Sequence, residues 1–461
     1  MQGRLDDAAA AMGGEVIGAP ADTRWRGAVL DSRQVGGAEL FFALPGEQTD
    51  GHRFVADALA RGAAAAVVAR GVDAAGALIR VADGYRALHA LTRAVRRRAP
   101  EHLVAVTGSV GKTTTKELLA AMLAERYRVG YTPGNLNNLY GFPLALLGID
   151  DDTEWMVAEM GMSVPGELGQ ISRLGQPEVA VFTNVRAAHL ESFGSLRSIA
   201  RAKAELLEGL APDGLVIANA DDPEVMWIAA RHAGRTVTYG VESTTADVRA
   251  VDLEPRHPVG TRFRLLAEGV ESPVEQWLEL PLHGRYNVEN CLAAAATALA
   301  LSVSVEAIAE AILGLEPGPG RGVVHALAGG AVLIDDSYNS NPSALAQALE
   351  AAAALPGQRH WAVLGDMLEL GDSGPRYHQE AGAVAAAAGY DPIYGVGELS
   401  RELVAGAAAG GATTGWWATA DEAAAELEPA RSGDVVLVKG SRAIGLERVV
   451  AAALEDTGGG A

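Results

Sequence analysis

Short apolar runs rich in β-branched residues alternate with longer alanine-rich stretches of helical period along most of this chain. Leu103 to Val106, Trp155 to Ala158, Val179 to Thr183, Ala331 to Ile334, Trp361 to Leu364 and Val435 to Val438 read as strands. A strand covered on both faces loses the polar alternation that a half-exposed one keeps, so such runs predict an α/β chain with largely parallel sheets. Between Val248 and Leu282 the residues are charged and alternating, which predicts an antiparallel hairpin appended to the middle of the chain. Proline and glycine punctuation predicts three domains. Residues 1–99 end at Ala99-Pro100, residues 100–316 end at the start of Glu316-Pro317-Gly318-Pro319-Gly320, and residues 317–461 follow. No internal repeat is evident.

The strand at Leu103 runs straight into Thr107-Gly108-Ser109-Val110-Gly111-Lys112-Thr113-Thr114-Thr115, and a helical pattern follows. Glycines there let backbone N–H groups turn inward, the helix start adds partial positive charge, Lys112 supplies a cation and Thr113 a hydroxyl suited to Mg²⁺. That combination predicts a phosphate site built by Gly108, Ser109, Val110, Gly111, Lys112, Thr113 and Thr114. The run is shorter than the usual P-loop, whose first glycine would fall on Val106. A plain glycine turn with a surface lysine is the competing reading.

Composition narrows the partners. The chain has 461 residues, enough for several cores, and a formal charge of -21. A charge of that sign argues against nucleic acid, since phosphate contacts need clustered cations. Arg93 to Arg98, with four arginines, reads as a solvated helix end at a domain boundary. One cysteine, Cys291, excludes a disulfide framework and suits core packing in a reducing compartment. No stretch reaches the ~18 uncharged apolar residues that a membrane span needs. A soluble, cytoplasmic protein without membrane insertion is expected, with a frayed tail from Asp456 to Ala461.

Two further groups sit where strands end, the place where open α/β sheets bind ligands. Glu159, in Glu159-Met160-Gly161, follows Trp155 to Ala158 and could face the phosphates and a metal, or merely cap a helix. His189, in His189-Leu190-Glu191, follows the next strand and could be a ligand or a structural hydrogen-bonder.

The phosphate loop, Glu159, His189 and Ala202-Lys203-Ala204-Glu205 together resemble the central domain of the Mur ligases, the ATP-dependent amide-forming enzymes that extend the peptidoglycan stem peptide. The likeness continues in Gly134-Asn135-Leu136-Asn137-Asn138, in Asp335-Asp336-Ser337-Tyr338-Asn339-Ser340-Asn341-Pro342, in Val363 to Gly371 and in Val438-Lys439-Gly440-Ser441-Arg442. These runs span nearly the whole chain. Val110, where the family often has a polar residue, and the aromatic pair in Tyr140-Gly141-Phe142-Pro143 depart from the pattern without removing a donor or ligand.

The resemblance implies a three-domain architecture with a central P-loop ATPase-like domain and a Rossmann-like C-terminal domain. It implies transfer of the γ-phosphoryl of ATP to the carboxylate of a UDP-N-acetylmuramoyl-tripeptide, followed by attack of D-Ala-D-Ala on the acyl phosphate. Lys112 would hold phosphates, Thr113 and Glu159 one Mg²⁺, and His189 a second. Lys203 matches the lysine that other Mur ligases carbamylate, and would join His189; the alternative is an ammonium paired with phosphate or Glu205. Asn287, in His283-Gly284-Arg285-Tyr286-Asn287, resembles an adenine-side contact, or is a helix N-terminal asparagine. Arg321 would reach the γ-phosphate and Asp336 the ribose or hinge. Ser32 and Arg33, Asn135, Asn138, Asn339, Lys439, Ser441 and Arg442 would bind substrate, with Asp50 and His52 fixing a loop. A monomer is expected. Another amide ligase with the same engine, or a nucleotide-binding scaffold without catalysis, are the rival readings.

Overall fold

Apolar runs of the middle segment become the buried central strands of a nine-stranded sheet, because helices cover both of its faces there and exclude water. The computed structural model describes residues 1–20, 22–46, 49–187, 190–256, 259–268 and 273–455. From one edge the strands are Val274–Leu280, Thr261–Ala267, Val248–Pro255, Thr236–Gly240, Leu215–Asn219, Val179–Phe182, His102–Thr107, Trp155–Glu159 and Val129–Tyr131. All pairings from Val248–Pro255 to Val129–Tyr131 are parallel, and those of the last two strands at the other edge are antiparallel. The expected hairpin is therefore a three-stranded meander that continues the main sheet rather than hanging from it. Tyr239 and Gly240 pair in register with Val248 and Arg249, and that short parallel ladder makes the join.

A six-stranded sheet carries the third segment. Its order is Val323–Ala326, Val332–Asp336, Asp434–Lys439, Arg359–Gly365, Tyr390–Val396 and Thr414–Trp417, with only the first strand antiparallel. Separate apolar clusters fill its two faces, giving the doubly wound layering that the sequence predicts. The first segment forms a five-stranded sheet closed by the helix Gly84–Arg96, with Asp83 capping the Arg86 amide at 2.9 Å.

One apolar cluster runs unbroken from the first sheet into the central one. Trp25, Phe42, Leu88 and Leu91 pack in the same core as Leu103, Phe142 and Met156. Cys291 is fully buried in the helix Arg285–Ala300, and burial pushes its thiol up to about 12, so it is a core side chain.

The arginine run differs from the expectation at one position. Arg97 and Arg98 are exposed, but Arg96 is 9% exposed and its guanidinium donates to the carbonyls of Gly175, Pro100 and Gln176 at 2.7, 2.9 and 3.1 Å. It also meets Glu178 at 3.2 Å. The helix Glu167–Gly175 ends there, and the last carbonyls of a helix have no partner within it. A planar cation with five donors satisfies several at once, which is why an arginine is buried at this seam. Arg96→Ala is expected to cost about 2–4 kcal/mol by urea unfolding, and Arg97→Ala less than about 0.5 kcal/mol.

Candidate active site

The phosphate loop lies between the parallel strand His102–Thr107 and the helix Lys112–Ala124. Its shape is fixed by close approach. A Cβ on Gly108 would stand 1.8 Å from Thr183 Oγ1, and one on Gly111, at φ +84°, would stand 2.0 Å from Asn290 Oδ1. Only glycine fits either place. Thr183 Oγ1 and Asn184 Nδ2 donate to the Val110 carbonyl at 2.7 and 3.0 Å, while Asn184 Oδ1 accepts the Val110 N–H at 3.0 Å. Val110 thus contributes its main chain, and its apolar side chain is no loss.

The sequence expectation of inward-turned loop amides needs correction here. Ser109 N–H goes to the Asn184 carbonyl at 3.0 Å and Val110 N–H to the Asn184 side chain, so these two are taken, and the first turn of the following helix offers an anion its own amides. Lys112 folds back over the loop, with Nζ 3.1 Å from the Gly108 carbonyl and 3.5 Å from that of Ser109. Burial lowers its pKa, the Glu159 carboxylate raises it and Arg321 lowers it.

Glu159 closes the strand Trp155–Glu159 and is 2% exposed. Thr113 Oγ1 donates to Oε2 and Asn137 Nδ2 to Oε1, each at 2.7 Å. The Glu159 amide donates to Thr132 Oγ1 at 2.9 Å. A hydroxyl and a carboxylate 2.7 Å apart beside a phosphate loop form the hard-oxygen pair that Mg²⁺ prefers. Among the described residues no group of three His, Cys, Asp or Glu side chains converges on a metal position, so any ion there would take its other ligands from phosphate and water. His189 lies outside the described residues. Lys203, on the helix Leu196–Ala204, is 5% exposed, and burial first, then the nearby Lys112 charge, hold its amine far below the usual lysine range, with Asp222 opposing.

These residues share one cleft with the third domain, a cavity of about 320 Å³. Residues 108–114, Asn135, Asn138, Glu159, Lys203 and Asn287 line it from the central domain, and Arg321, Asp336, Asn339 and Lys439 from the third. Asn287 lies in the first turn of its helix, where its side-chain amide donates to the His283 carbonyl at 2.8 Å, and it forms part of the cleft wall. Arg321 stacks on Tyr338 with its guanidinium carbon 3.9 Å from the ring centre. Asp336 and Lys439 face each other in register across neighbouring strands, with Nζ 2.7 Å from Oδ2 and 2.8 Å from the Asn339 carbonyl. Burial raises the Asp336 pKa and the Lys439 cation opposes it most strongly.

Ser441, Arg442, Ser32 and Arg33 are not among the residues that line this cleft, whereas Asn138 lines it and also has a local role. Ser441 is buried and accepts the Leu368 amide at 3.0 Å, so it braces the Met367 to Leu370 loop rather than lining the cleft. Arg442 is 62% exposed and 3.6 Å from Glu447. Ser32 and Arg33 line a separate first-domain cavity of about 1190 Å³, which Tyr140 of the central domain also borders. Arg33 chelates Asp31 there at 2.7–3.1 Å. Asp50 does fix its loop, accepting from the His52 amide and ring at 2.9 and 2.7 Å. Asn138 caps its own turn, accepting from Tyr140 and Gly141 amides at 3.1 and 2.8 Å.

Reading the sequence misses Asn137, Thr132, Asn184, Asn290 and Tyr338. An asparagine run does not reveal which member faces a carboxylate. Lys116 was available as a signal, since it stands one turn beyond Lys112 on the same helix face.

Three family models match successive stretches of the chain, the first two overlapping. Residues 26–127 match a model described as Mur ligase family, catalytic domain; residues 106–298 match the Mur ligase middle domain; residues 320–442 match the Mur ligase, glutamate ligase domain. Curated relatives called UDP-N-acetylmuramoyl-tripeptide--D-alanyl-D-alanine ligase include that of Bacillus subtilis (strain 168), 35% identical over 92% of both chains. That of Escherichia coli (strain K12) is 35% identical over 96% of this chain and 97% of its own. Among solved structures, MurF from Acinetobacter baumannii superposes with a TM-score of 0.88 at 32% identity, covering 99% of each chain. MurF ligase from Thermotoga maritima in complex with ADP gives 0.80 at 29% identity, over 95% of this chain and 99% of that one.

Gly108→Ala is expected to destabilise by about 2–4 kcal/mol, since the new methyl meets a side chain that is itself bonded to the loop. Gly148→Ala, whose added Cβ meets nothing within 4 Å, is expected to be neutral or stabilising in the same chemical-denaturation measurement.

Proposed function

The chain belongs to the Mur ligase family, and we propose that its interdomain cleft joins D-alanyl-D-alanine to UDP-N-acetylmuramoyl-tripeptide at the cost of ATP. The observation that carries this reading is the convergence of the phosphate loop, the Thr113–Glu159 pair, Lys203, Arg321 and Asp336 on one cavity. In the reaction an oxygen of the tripeptide carboxylate attacks the γ-phosphorus of ATP and ADP departs. The dipeptide amine then attacks the acyl carbon, loses a proton, and phosphate leaves as the C–O bond breaks. The product is the UDP-N-acetylmuramoyl-pentapeptide of peptidoglycan synthesis.

Each step brings anions together, so the chain's work is neutralisation and alignment. Lys112 and the helix-start amides would take the transferring phosphoryl group, and Arg321, held flat on Tyr338, would add a cation from the third domain. Asn287 and Asp336 would flank the nucleoside, and Lys439 with Asn339 the acceptor side of the cleft. Ser32, Arg33 and Tyr140 would hold the UDP end in the first-domain cavity. Mg²⁺ supplies charge screening between carboxylate and phosphate; Thr113 and Glu159 would hold one ion, and His189 with Lys203 a second. Cytoplasmic action as a monomer fits substrates of this kind; among the described residues no helix is long and apolar enough to cross a membrane.

Phosphate release from ATP tests the assignment. It is expected to require both the UDP-tripeptide and D-Ala-D-Ala. Faster release with meso-diaminopimelate and a UDP-dipeptide would overturn it in favour of the preceding ligation.

Burial and a neighbouring cation lower the pKa of the Lys203 amine and so favour its addition to CO₂: the nitrogen bonds the carbon, a proton leaves, and the side chain becomes an anion. Lys203 in that carbamate form would give the second ion an oxygen ligand. Lys203→Ala is expected to lose nearly all turnover and to recover part of it in acetate or formate. Full activity without supplement would remove Lys203 from the mechanism, and a dead variant that no short carboxylate rescues would mark it as a cation.

A further inference from the structure

Lys116 plays no part in the account above, yet it is among the largest fully buried side chains, at 0% exposed. It projects from the helix Lys112–Ala124 behind the phosphate loop, and its Nζ donates to the Thr132 carbonyl at 2.8 Å. Glu117 Oε1 lies 3.6 Å away and the Tyr131 ring centre 5.5 Å away. Taking an ammonium out of water costs several kcal/mol, whereas a methionine of similar length would fill the same space without that cost. The charge therefore has a use at this position beyond filling volume.

Thr132 shows where that use leads. It is itself 0% exposed, and it follows the strand Val129–Tyr131 and precedes Pro133, so no ladder partner continues beyond it. Its amide donates to the Val157 carbonyl at 3.1 Å, and its Oγ1 accepts the Glu159 amide at 2.9 Å. The end of the glutamate-bearing strand is thus tied to Thr132, and Thr132 is tied to Lys116. Burial lowers the Lys116 pKa, and among the surrounding charges Glu159 opposes that most strongly, followed by Glu117, while Arg321 adds to it.

We propose that Lys116 is a positioning residue for phosphoryl transfer: by gripping the Thr132 carbonyl it fixes the backbone of Glu159 and aims that carboxylate at Thr113 and the cleft. The inference rests on the reading of this cleft as the ligation site. Thr132 and Lys116 touch no substrate; they act through Glu159.

Two variants and their combination test it, with kcat, KM for the UDP-tripeptide and melting temperature measured for each. Lys116→Met keeps length and removes the charge, and Thr132→Val keeps shape and removes the Oγ1 acceptor. Each is expected to lower kcat about tenfold while KM for the UDP-tripeptide stays within about twofold, because the UDP end binds in another cavity. The double variant is expected to fall no further than the weaker single, the mark of two residues acting through one path. Wild-type kcat in either single variant, or losses that multiply to about a hundredfold in the double, would overturn the proposal. So would a fall in melting temperature with kcat unchanged, which is what a purely structural lysine predicts. Should Lys116→Met fail to fold, Thr132→Val alone decides by the same kcat and KM split. Failure of the wild-type enzyme to release phosphate with both substrates speaks against the ligation reading; the ratio of variant to wild type speaks only to Lys116.

Discussion

A carboxyl group that is almost wholly withdrawn from water needs a partner for each oxygen, and Glu159 has them. Thr113 takes one oxygen, Asn137 the other, and Thr132 the amide. Those three partners come from the helix after the phosphate loop, from the asparagine run and from the end of the neighbouring edge strand. The geometry of three separate chain segments is thereby fixed by one side chain. Displace it and the loop, the asparagine turn and the strand end lose a common reference.

The parallel sheets make this arrangement reachable. Glu159 is in register with Val106, and Phe182 with Thr107, so the loop, the glutamate and Asn184 leave the sheet at one level. Asp336 and Lys439 leave the third sheet in the same way. A cleft between two such edges collects polar groups from five strands without burying any of them inside a core. Loops alone would place the same groups less rigidly.

Much of this was legible in the chain because it depends on local rules. Buried strands read as unbroken apolar runs, and Gly108, Gly111, Lys112 and Thr113 carry the pattern of a phosphate loop in adjacent residues. Residue choices that depend on partners distant in sequence were not legible. Arg96 looks solvated until the helix end at Gly175 comes beside it. Asn137 and Asn138 are equivalent in composition, and only the turn decides that one meets Glu159 while the other caps its own helix. Ser441 reads as a substrate contact from its motif, and the Leu368 amide that its hydroxyl accepts, 73 residues away, could not be read there. The meander from Val248 to Leu280 was visible as alternation, but its junction with the sheet needed the Tyr239 register.

The continuous apolar cluster from Trp25 to Met156 has a bearing on modularity. Three sheets suggest three interchangeable parts, but one interior crosses from the first sheet into the central one beside the separate cluster that each also keeps, whereas the interiors of the third cross to neither. Excising residues 1–99 would take Arg96 away from the helix end at Gly175 and open the shared cluster that holds Phe142 and Met156, leaving a sticky remnant rather than a smaller enzyme. The first segment is thus fastened to the central one through shared apolar packing, whereas the third meets it across a polar cleft.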